Sequence, residues 1–519
     1  IDIIRINMKK DSTPILVGCS QITQRENDPN KAHSPIDLTT QACIEAANDT
    51  NLGNKIFSKL NIIVLIRSFS DTSWRFKCPF GSSNNPPKSL ANRINANNKA
   101  KLVYTYPGGN MPQWSINRLS DMISKNEIEV ALIAGGESLS TQKNAQRKNI
   151  NLNWNETLKN KVYTRWGINE PGWTETEELH HMNGAIYAYP MIENAIRGNL
   201  GHNIDKHINY ISSIFSKFST VASRNPLANK QKLFSQKDIA KLSSENPFIG
   251  FPYTKLMNSN AFIDQSSALI LTSVSKAKEL SIPENKWIYL HGCADAHDHW
   301  YMSNRKNFYT SPAMRITSRE AFEMAESNIN EIAYIDLYSC FPSAVEIACN
   351  EMGISIDDPR GLTITGGLPY FGGPGNNYVT HSVAEMMSIL RKNPGKKGMV
   401  TANGNYITKQ SIGIYSNQPL EKKFKLKNPD IYQNEIDKDK GPPFKNIANG
   451  KAKIETYTVM FDREGPLFSI LFGRLKNGNR FIANTPQDKN LLYEMTKIDY
   501  LNTFGKVKNK NGKNIFIPE

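Results

Sequence analysis

Two kinds of hydrophobic run alternate along the chain, and their order predicts a layered α/β core. "PILVGCSQI" (14–22) is a β-rich run followed by a polar loop. "SPIDLTTQACIEAANDT" (34–50) then places Ser34 as an N-cap, Pro35 at the first helical position and apolar residues at helical spacing. "NIIVLIRSF" (61–69) is continuously apolar, as a strand covered on both faces would be. "MPQWSINRLSDMISKNEI" (111–128) reads as an amphipathic helix and "EVALIAGGES" (129–138) as the next buried strand. The alternation predicts a mainly parallel, layered sheet. Between residues 140 and 258 the pattern turns to aromatic-rich and polar helical pieces, such as "GAIYAYPMIENAIRG", and predicts an insertion that caps one end of the sheet as a lid. Strand and helix alternate again from "AFIDQSSALILTSVSKAKELSI" to "ITKQSIGIYS". After a Lys/Pro-rich linker through "KNIANG", the stretch "AKIETYTVMFDREGPLFSILFGRLKNGNRFIANT" alternates with period two around the turns "DREG" and "KNGN", which predicts a small barrel or meander.

Composition narrows the function classes. The 519 residues, 39% apolar and 21% charged, are too many for one typical domain and predict two or three. Lys and Arg total 63 against 48 Asp and Glu, a formal charge of +15. Such a balance suits nucleic acid, an anionic membrane surface or a phosphate-rich small molecule. Lys, Asn and Ile are abundant throughout, however, so the charge is spread without a patch, and nucleic acid is not expected as a partner. The six cysteines, Cys19, Cys43, Cys78, Cys293, Cys340 and Cys349, form no CxxC pair, which argues for reduced thiols and a cytoplasmic setting. No apolar run approaches the ~18 residues of a membrane span. The opening "IDIIRINMKKDSTPILVG" has neither the apolar core nor the cleavage site of a signal peptide. Residues 1–7 are set aside from the fold reading.

Four motifs carry a family resemblance. "INRLSDMISKNEIEVALIAGGESLS" resembles a helix and "AGG.ES.S" strand of the thiolase superfamily, and "GGLPYFGGPG" its "GGLKAKGHPVG" loop. "YIDLYSCF" stands where that family carries Asn-Glu-Ala-Phe or His-Asp-Ala-Phe, and "TANGNYITKQSIGIYS" where it carries Cys-x-Gly. The chain therefore resembles thiolase-like acetyl-CoA acetyltransferases with an additional C-terminal β domain. The resemblance implies two similar layered αβαβα halves, residues 8–275 with the lid insertion at about 140–258 and residues 276–418. Residues 419–519 would form a linker and a small, possibly OB-like β domain. It also implies acyl-CoA as substrate, with no permanently bound cofactor, and a homodimer through the core.

The ordinary thiolase chemistry is absent. The acylated cysteine would fall near Asn110 in "PGGNMPQW", the histidine of Gly-His-Pro is replaced by Gly373, and the cysteine of Cys-x-Gly by Ala402. A relocated site is one resolution. In "IDLYSCFPSAVEIACNEM" a strand ends near Tyr338 and Pro342 opens a helix, so Cys340 stands at a helix N-terminus, where amide donors and the dipole favour thiolate. By the thiolase layout His381 would reach the same pocket as base. The amides of Gly372, Gly373, Gly375 and Gly404 would hold the thioester oxyanion, and Asn376 and Asn377 would add amide contacts. The competing expectation is a buried, inert Cys340 and a structural His381.

Other clusters are weaker. His291, Asp295, His297, Asp298 and His299 in "HGCADAHDHWY" include metal-ligand types, but no remote third ligand is evident and a polar loop is the simpler reading, so no metal is expected. His180 in "HHMNG" is a possible substrate contact without support. Arg75, Lys77, Lys88 and Arg93 are candidates for coenzyme A phosphates, and a solvated loop explains them equally. No phosphate-binding loop of the GxxxxGK or GxGxxG kind appears. Three functions result: a thiolase-type acyltransferase using Cys340, a catalytically inert acyl-CoA-binding or scaffold protein, and nucleic-acid binding by the β domain through Tyr457, Phe461, Phe481 and the basic "GKVKNKNGK".

Overall fold

A computed structural model describes residues 11–72, 74–159 and 162–519. The segment read for a signal peptide, up to residue 10, lies outside them. The first half runs β1 (Pro14–Thr23), α1 (Pro35–Asp49), β2 (Ile62–Leu65), α2 (Pro86–Arg93), β3 (Lys101–Thr105), α3 (Met111–Ser124) and β4 (Val130–Ser138). An insertion follows as α4 (Leu139–Arg147), β5 (Thr164–Trp166), α5 (Glu175–Leu179), α6 (Ala185–Asn199), α7 (Ile204–Arg224), α8 (Gln236–Ala240), β6 (Phe248–Gly250) and β7 (Tyr253–Thr254). Then β8 (Asp264–Ser273) and α9 (Val274–Glu279) close the half. The second half is β9 (Ile288–His297), α10 (Pro312–Met324), β10 (Ile332–Asp336), α11 (Pro342–Met352), α12 (Gly367–Tyr370), α13 (Tyr378–Lys392), β11 (Lys397–Gly404) and β12 (Lys409–Ser416). The C-terminal part is α14 (Pro429–Asp437), β13 (Gly450–Asp462), β14 (Gly465–Leu475), β15 (Arg480–Ala483), α15 (Lys489–Glu494), β16 (Phe504–Lys510) and β17 (Lys513–Pro518).

Local signals start the helices where expected. Ser34 caps α1 by accepting from the Asp37 amide at 3.3 Å, with Pro35 in the first turn. The strands form one sheet in the order β10-β11-β12-β9-β1-β8-β4-β2-β3-β5. In the first half β2 is parallel to β4, and β8 is antiparallel to β4 and β1. In the second, β10 is parallel to β11, and β12 is antiparallel to β11 and β9. The same unit is thus used twice and meets at β1 and β9, where Ile15 pairs with Tyr289 and Leu16 with Ile288. The sheet is mixed rather than mainly parallel. Every residue of β2, β4, β8 and β12 is buried, and a strand covered on both faces reads as the same apolar run in either direction.

Alternate strand residues feed two cores. Leu16, Val64, Ile133 and Leu271 pack with α3 and α13 on one side, while Val17, Ile63, Leu132 and Ile270 pack with α1 and α2 on the other. Helices α3 and α13 also pack against strands of both halves, so they form the layer between them. The insertion does two jobs: β5 extends the sheet beyond β3, and α7 covers the start of α12.

The C-terminal strands form an antiparallel sheet, β15-β14-β13-β16-β17, joined at β13 by β6 and β7 of the insertion. It is open rather than a barrel. β15 stops after four residues ahead of Pro486, which cannot continue a ladder, and the two ends meet at the single bridge Asn484–Ile515. Tyr457 and Phe481 are wholly buried in this domain's own core, and Phe461 is half-buried against Phe248. Two of the three rings proposed for base stacking are therefore packing residues. The linker is docked as well: the Tyr432 hydroxyl of α14 accepts from the Asp295 amide at 3.2 Å.

Candidate functional site

Three chain segments meet where the resembled fold would place its chemistry. The turn after β3 ends at Asn110, the N-cap of α3. The stretch after β10 carries Tyr338 and Cys340 to the start of α11. The hairpin from β11 to β12 turns through Asn405 and Ile407, both at positive φ. These are in intimate contact, since a Cβ at Gly109 would overlap the Tyr338 hydroxyl and one at Gly404 would press on Asn110 Oδ1 and Lys409 Cε. Asn376 fastens the third side, its Oδ1 accepting from the Gly108 amide at 2.9 Å.

The seam holds buried polar atoms with no partner in the protein, Asn110 Oδ1, Asn405 Nδ2 and the Tyr406 hydroxyl, while the Asn403 side chain reaches the Cys340 thiol. An unmet buried group costs about 1–3 kcal/mol. Lys409 stands beside the seam, 6% exposed, its Nζ donating to the Pro107 carbonyl at 2.6 Å; burial pulls the ammonium down to about 8. The Tyr189 hydroxyl from α6 donates to Asn403 Oδ1 at 3.1 Å. The insertion covers the hairpin: Trp173 stacks on Tyr406 with ring centroids 6.4 Å apart, and the Trp300 indole donates to the Pro171 carbonyl at 2.8 Å.

Cys340 occupies the strand-to-helix turn as expected, but not as an activated thiol. Burial pushes it up to about 12, although the Tyr189 hydroxyl and the Phe341 amide pull the other way. The side chain is 8% exposed, and desolvation of a thiolate outweighs a helix terminus that has no charge nearby to help it. His381 is wholly buried on α13, with Nδ1 3.2 Å from Gln21 Oε1 and its ring edge-on to Phe371; burial pulls it down to about 3. Among the described residues no hydrogen bond joins His381 to Cys340, and His381 Nδ1 is turned to Gln21 instead.

The glycine loop is a packing device. Gly372 has φ +128° against Gln265, and Gly375 has φ +56° with Glu137 Oε1 where a Cβ would go. The Gly373 amide donates to the Asn260 carbonyl at 2.9 Å and the Gly375 amide to the Gly373 carbonyl at 2.7 Å, so neither points at a ligand. Asn376 Nδ2 donates to the Arg67 carbonyl and Asn377 Nδ2 to the Gly135 carbonyl, each at 2.7 Å, and both amides are likewise engaged. Of this set only Gly404 lies on the seam. The insertion closes directly on the loop through Asn229 N–H to the Phe371 carbonyl and Lys230 N–H to the Tyr370 carbonyl.

The remaining candidates fall elsewhere. Arg93 is neutralised by Asp37 and Glu156, both at 3.0 Å. Arg75 bonds the Tyr187 hydroxyl and lies over its ring at 5.0 Å, Lys77 is exposed, and Lys88 is half-buried. His291 and His299 donate to the carbonyls of Gln418 and Asp439, and His297 Nδ1 to that of Asp298. Asp295 accepts from Asn117 and Ser411, and Asp298 from Ser311 and the Ala313 amide. His180 Nε2 accepts from the Asn514 amide at 2.9 Å, and burial pulls it down to about 4, so it ties the insertion to β17 as a neutral ring. Sequence reasoning missed Lys409, Tyr189 and Asn403. The signal for the first was a lysine opening "KQSIGIYS", a strand otherwise free of charge.

The comparisons follow this geometry. A family model described as the thiolase-like protein type 1 additional C-terminal domain matches residues 432–511. A monomeric SCP2-thiolase-like protein type 1 from Mycobacterium smegmatis is similar at 31% identity over 99% of this chain and 100% of its own, with a TM-score of 0.84. Human mitochondrial 3-ketoacyl-CoA thiolase is similar over 78% of this chain and 99% of its own, at 13% identity and a TM-score of 0.56. An acetyl-CoA acetyltransferase from Syntrophomonas wolfei aligns over 78% and 99%, at 12% and 0.53. These last two establish the fold. No curated protein sequence matches the chain. The expected homodimer is not supported: the 31% identical relative is monomeric, and here β5 pairs with β3 and covers that edge of the sheet.

Proposed function

The chain belongs to the SCP2-thiolase-like protein type 1 family, and on that footing we propose that it holds an acyl-CoA-type thioester non-covalently, without forming an acyl-cysteine. The ligand's carbonyl and amide groups complete the seam between the 107–110 turn and the end of β11. The observation that carries this reading is the pair of unpartnered atoms there, an acceptor on Asn110 and a donor on Asn405. A thioester carbonyl accepts and a pantetheine amide both donates and accepts, so the ligand class matches the vacancies in kind. Asn110 stands where the resembled enzymes carry the nucleophile, and an amide binds a carbonyl partner but does not attack it. For the ligand's phosphates the exposed Lys77 and half-buried Lys88 are the available cations near the first half's edge.

Acyl transfer through Cys340 is the second reading, favoured by the Tyr189 hydroxyl and the Phe341 and Cys340 amides, which oppose the rise that burial imposes on its thiol. Titration calorimetry with acetyl-CoA, followed by intact-mass measurement, separates the two. Saturable binding with no mass increase is expected, and Asn110→Ala should weaken it about tenfold, one lost hydrogen bond in a dry site. An acetyl adduct mapping to Cys340 would reverse the order of the readings, and no binding at all removes both.

A further inference from the structure

A second polar cluster lies one helical turn behind this site and takes no part in it. Glu193 on α6, His207 on α7 and Glu346 on α11 are buried, 0%, 0% and 6% exposed. One ligand atom from each lies within 4.8 Å of the others. His207 Nε2 is 2.7 Å from Glu193 Oε1. The Tyr253 hydroxyl donates to Glu193 Oε2 at 2.6 Å and sits 2.7 Å from Ser343 Oγ. Glu346 shares a carboxyl–carboxylate hydrogen bond with Glu193, and beyond it no protein donor reaches its two buried oxygens. Among the described residues no lysine or arginine forms an ion pair with either glutamate.

Two carboxylates in a dry space, with one imidazole beside them and no lysine or arginine, are an expensive arrangement unless a further cation joins them. We propose that Glu193, His207 and Glu346 form a binding site for a divalent metal ion of the zinc or manganese class. Carboxylate oxygen with imidazole nitrogen suits such ions and disfavours soft ones such as Cu(I). Small rotations of the two carboxylates suffice to bring all three groups onto one ion. The ion neutralises the pair and takes the place of the hydrogen bond between Glu346 and Glu193. It also pins insertion helices α6 and α7 to α11, the helix that Cys340 precedes. Tyr189, which touches Asn403, stands one turn before Glu193 on α6, so the ion would fix the wall of the ligand seam.

Burial and the charge of Glu193 raise Glu346 well above the usual carboxylate range.

The test is made on the full chain, stripped with a chelator and titrated with Zn²⁺ or Mn²⁺, with bound metal counted by elemental mass spectrometry and melting followed in parallel. About one ion per chain and a raised melting temperature are expected. Glu346→Gln, which resembles the protonated acid in shape and charge, should fold as well as the stripped protein, bind at least tenfold more weakly and lose the melting response. Wild-type protein that binds neither ion, or a Glu346→Gln variant that binds as wild type, overturns the site and leaves a proton-sharing network in its place.

Discussion

At the scale of single residues, position and environment give opposite answers for Cys340. Its place before α11 was readable from "YSCFP", because a strand signal, a cysteine and a helix-opening proline fall in order. Its burial was not readable, since that depends on Tyr189 and Asn403, remote in sequence. A thiol pushed up to about 12 has a thiolate fraction near neutral pH roughly a thousandfold below that of a free cysteine. Iodoacetamide mapped by peptide mass spectrometry should therefore leave Cys340 unlabelled at pH 7.5 until denaturant is added. Prompt labelling in the folded state would show that the thiol is activated after all. Glu137 makes the complementary pH statement. Burial pushes it up to about 8, against the Phe69 amide and Ser68 hydroxyl that bond it. Its folded pKa thus exceeds the unfolded value of about 4.3, so its contribution is complete at lower pH and is lost as pH rises through about 8. Asp295, pushed up to about 7, acts with the same sign. In urea unfolding, the loss of stability from pH 5 to pH 8.5 should shrink in Glu137→Gln, and an unchanged slope would mean that the carboxyl is already ionised.

Among the elements, what was legible is what local chemistry controls. The alternation of buried strands with capped helices gave the layered core, because Ser34, Pro35, Pro112 and Pro342 act on their own turns. Strand direction was not legible, because β8 and β12 are buried on both faces and carry no period-two signal. Nor was the job of β5, a strand of three residues whose partner lies some sixty positions earlier. It pairs Val103 with Thr164, Tyr104 with Arg165 and Thr105 with Trp166, and Arg165 sits over the rings of Tyr104 and Tyr163 at 4.9 Å each. An unpaired strand edge is a template for another chain. Proline cannot donate to a ladder and loses the cation over both rings, so Arg165→Pro should free β3. Light scattering on a sizing column is expected to show a concentration-dependent rise in mass for that variant alone. Equal masses for variant and wild type would mean that β5 is not what keeps the edge closed.

For the whole molecule, the question is whether the C-terminal sheet is an appendage or part of the site's support. Arg480 of β15, wholly buried, is held by Glu455 at 2.7 Å and donates to the Ser303 and Lys306 carbonyls at 3.1 and 3.2 Å, with Phe308 under its guanidinium. The same loop carries Arg305, which donates to the Tyr406 carbonyl at 2.7 Å and Thr408 Oγ1 at 2.8 Å, and so sets the hairpin of the ligand seam. From the other side Thr456 and the Tyr457 carbonyl bond α6 at Met191 and Asn194, and Asp499 binds Arg197 at 2.8 Å. Two independent routes therefore run from the added domain to Tyr406 and to Tyr189. Contacts this extensive make the domain and the core one cooperative unit rather than a tethered pair. Calorimetry of the intact chain should show a single unfolding transition. Glu455→Gln leaves a buried guanidinium without its counter-charge, a loss of about 3–5 kcal/mol, and should lower that one transition as a whole. It should also weaken acetyl-CoA binding, although Glu455 does not touch the seam. Two separated transitions, with the variant moving one of them and leaving binding unchanged, would make the sheet an independent module and return the seam to the core alone.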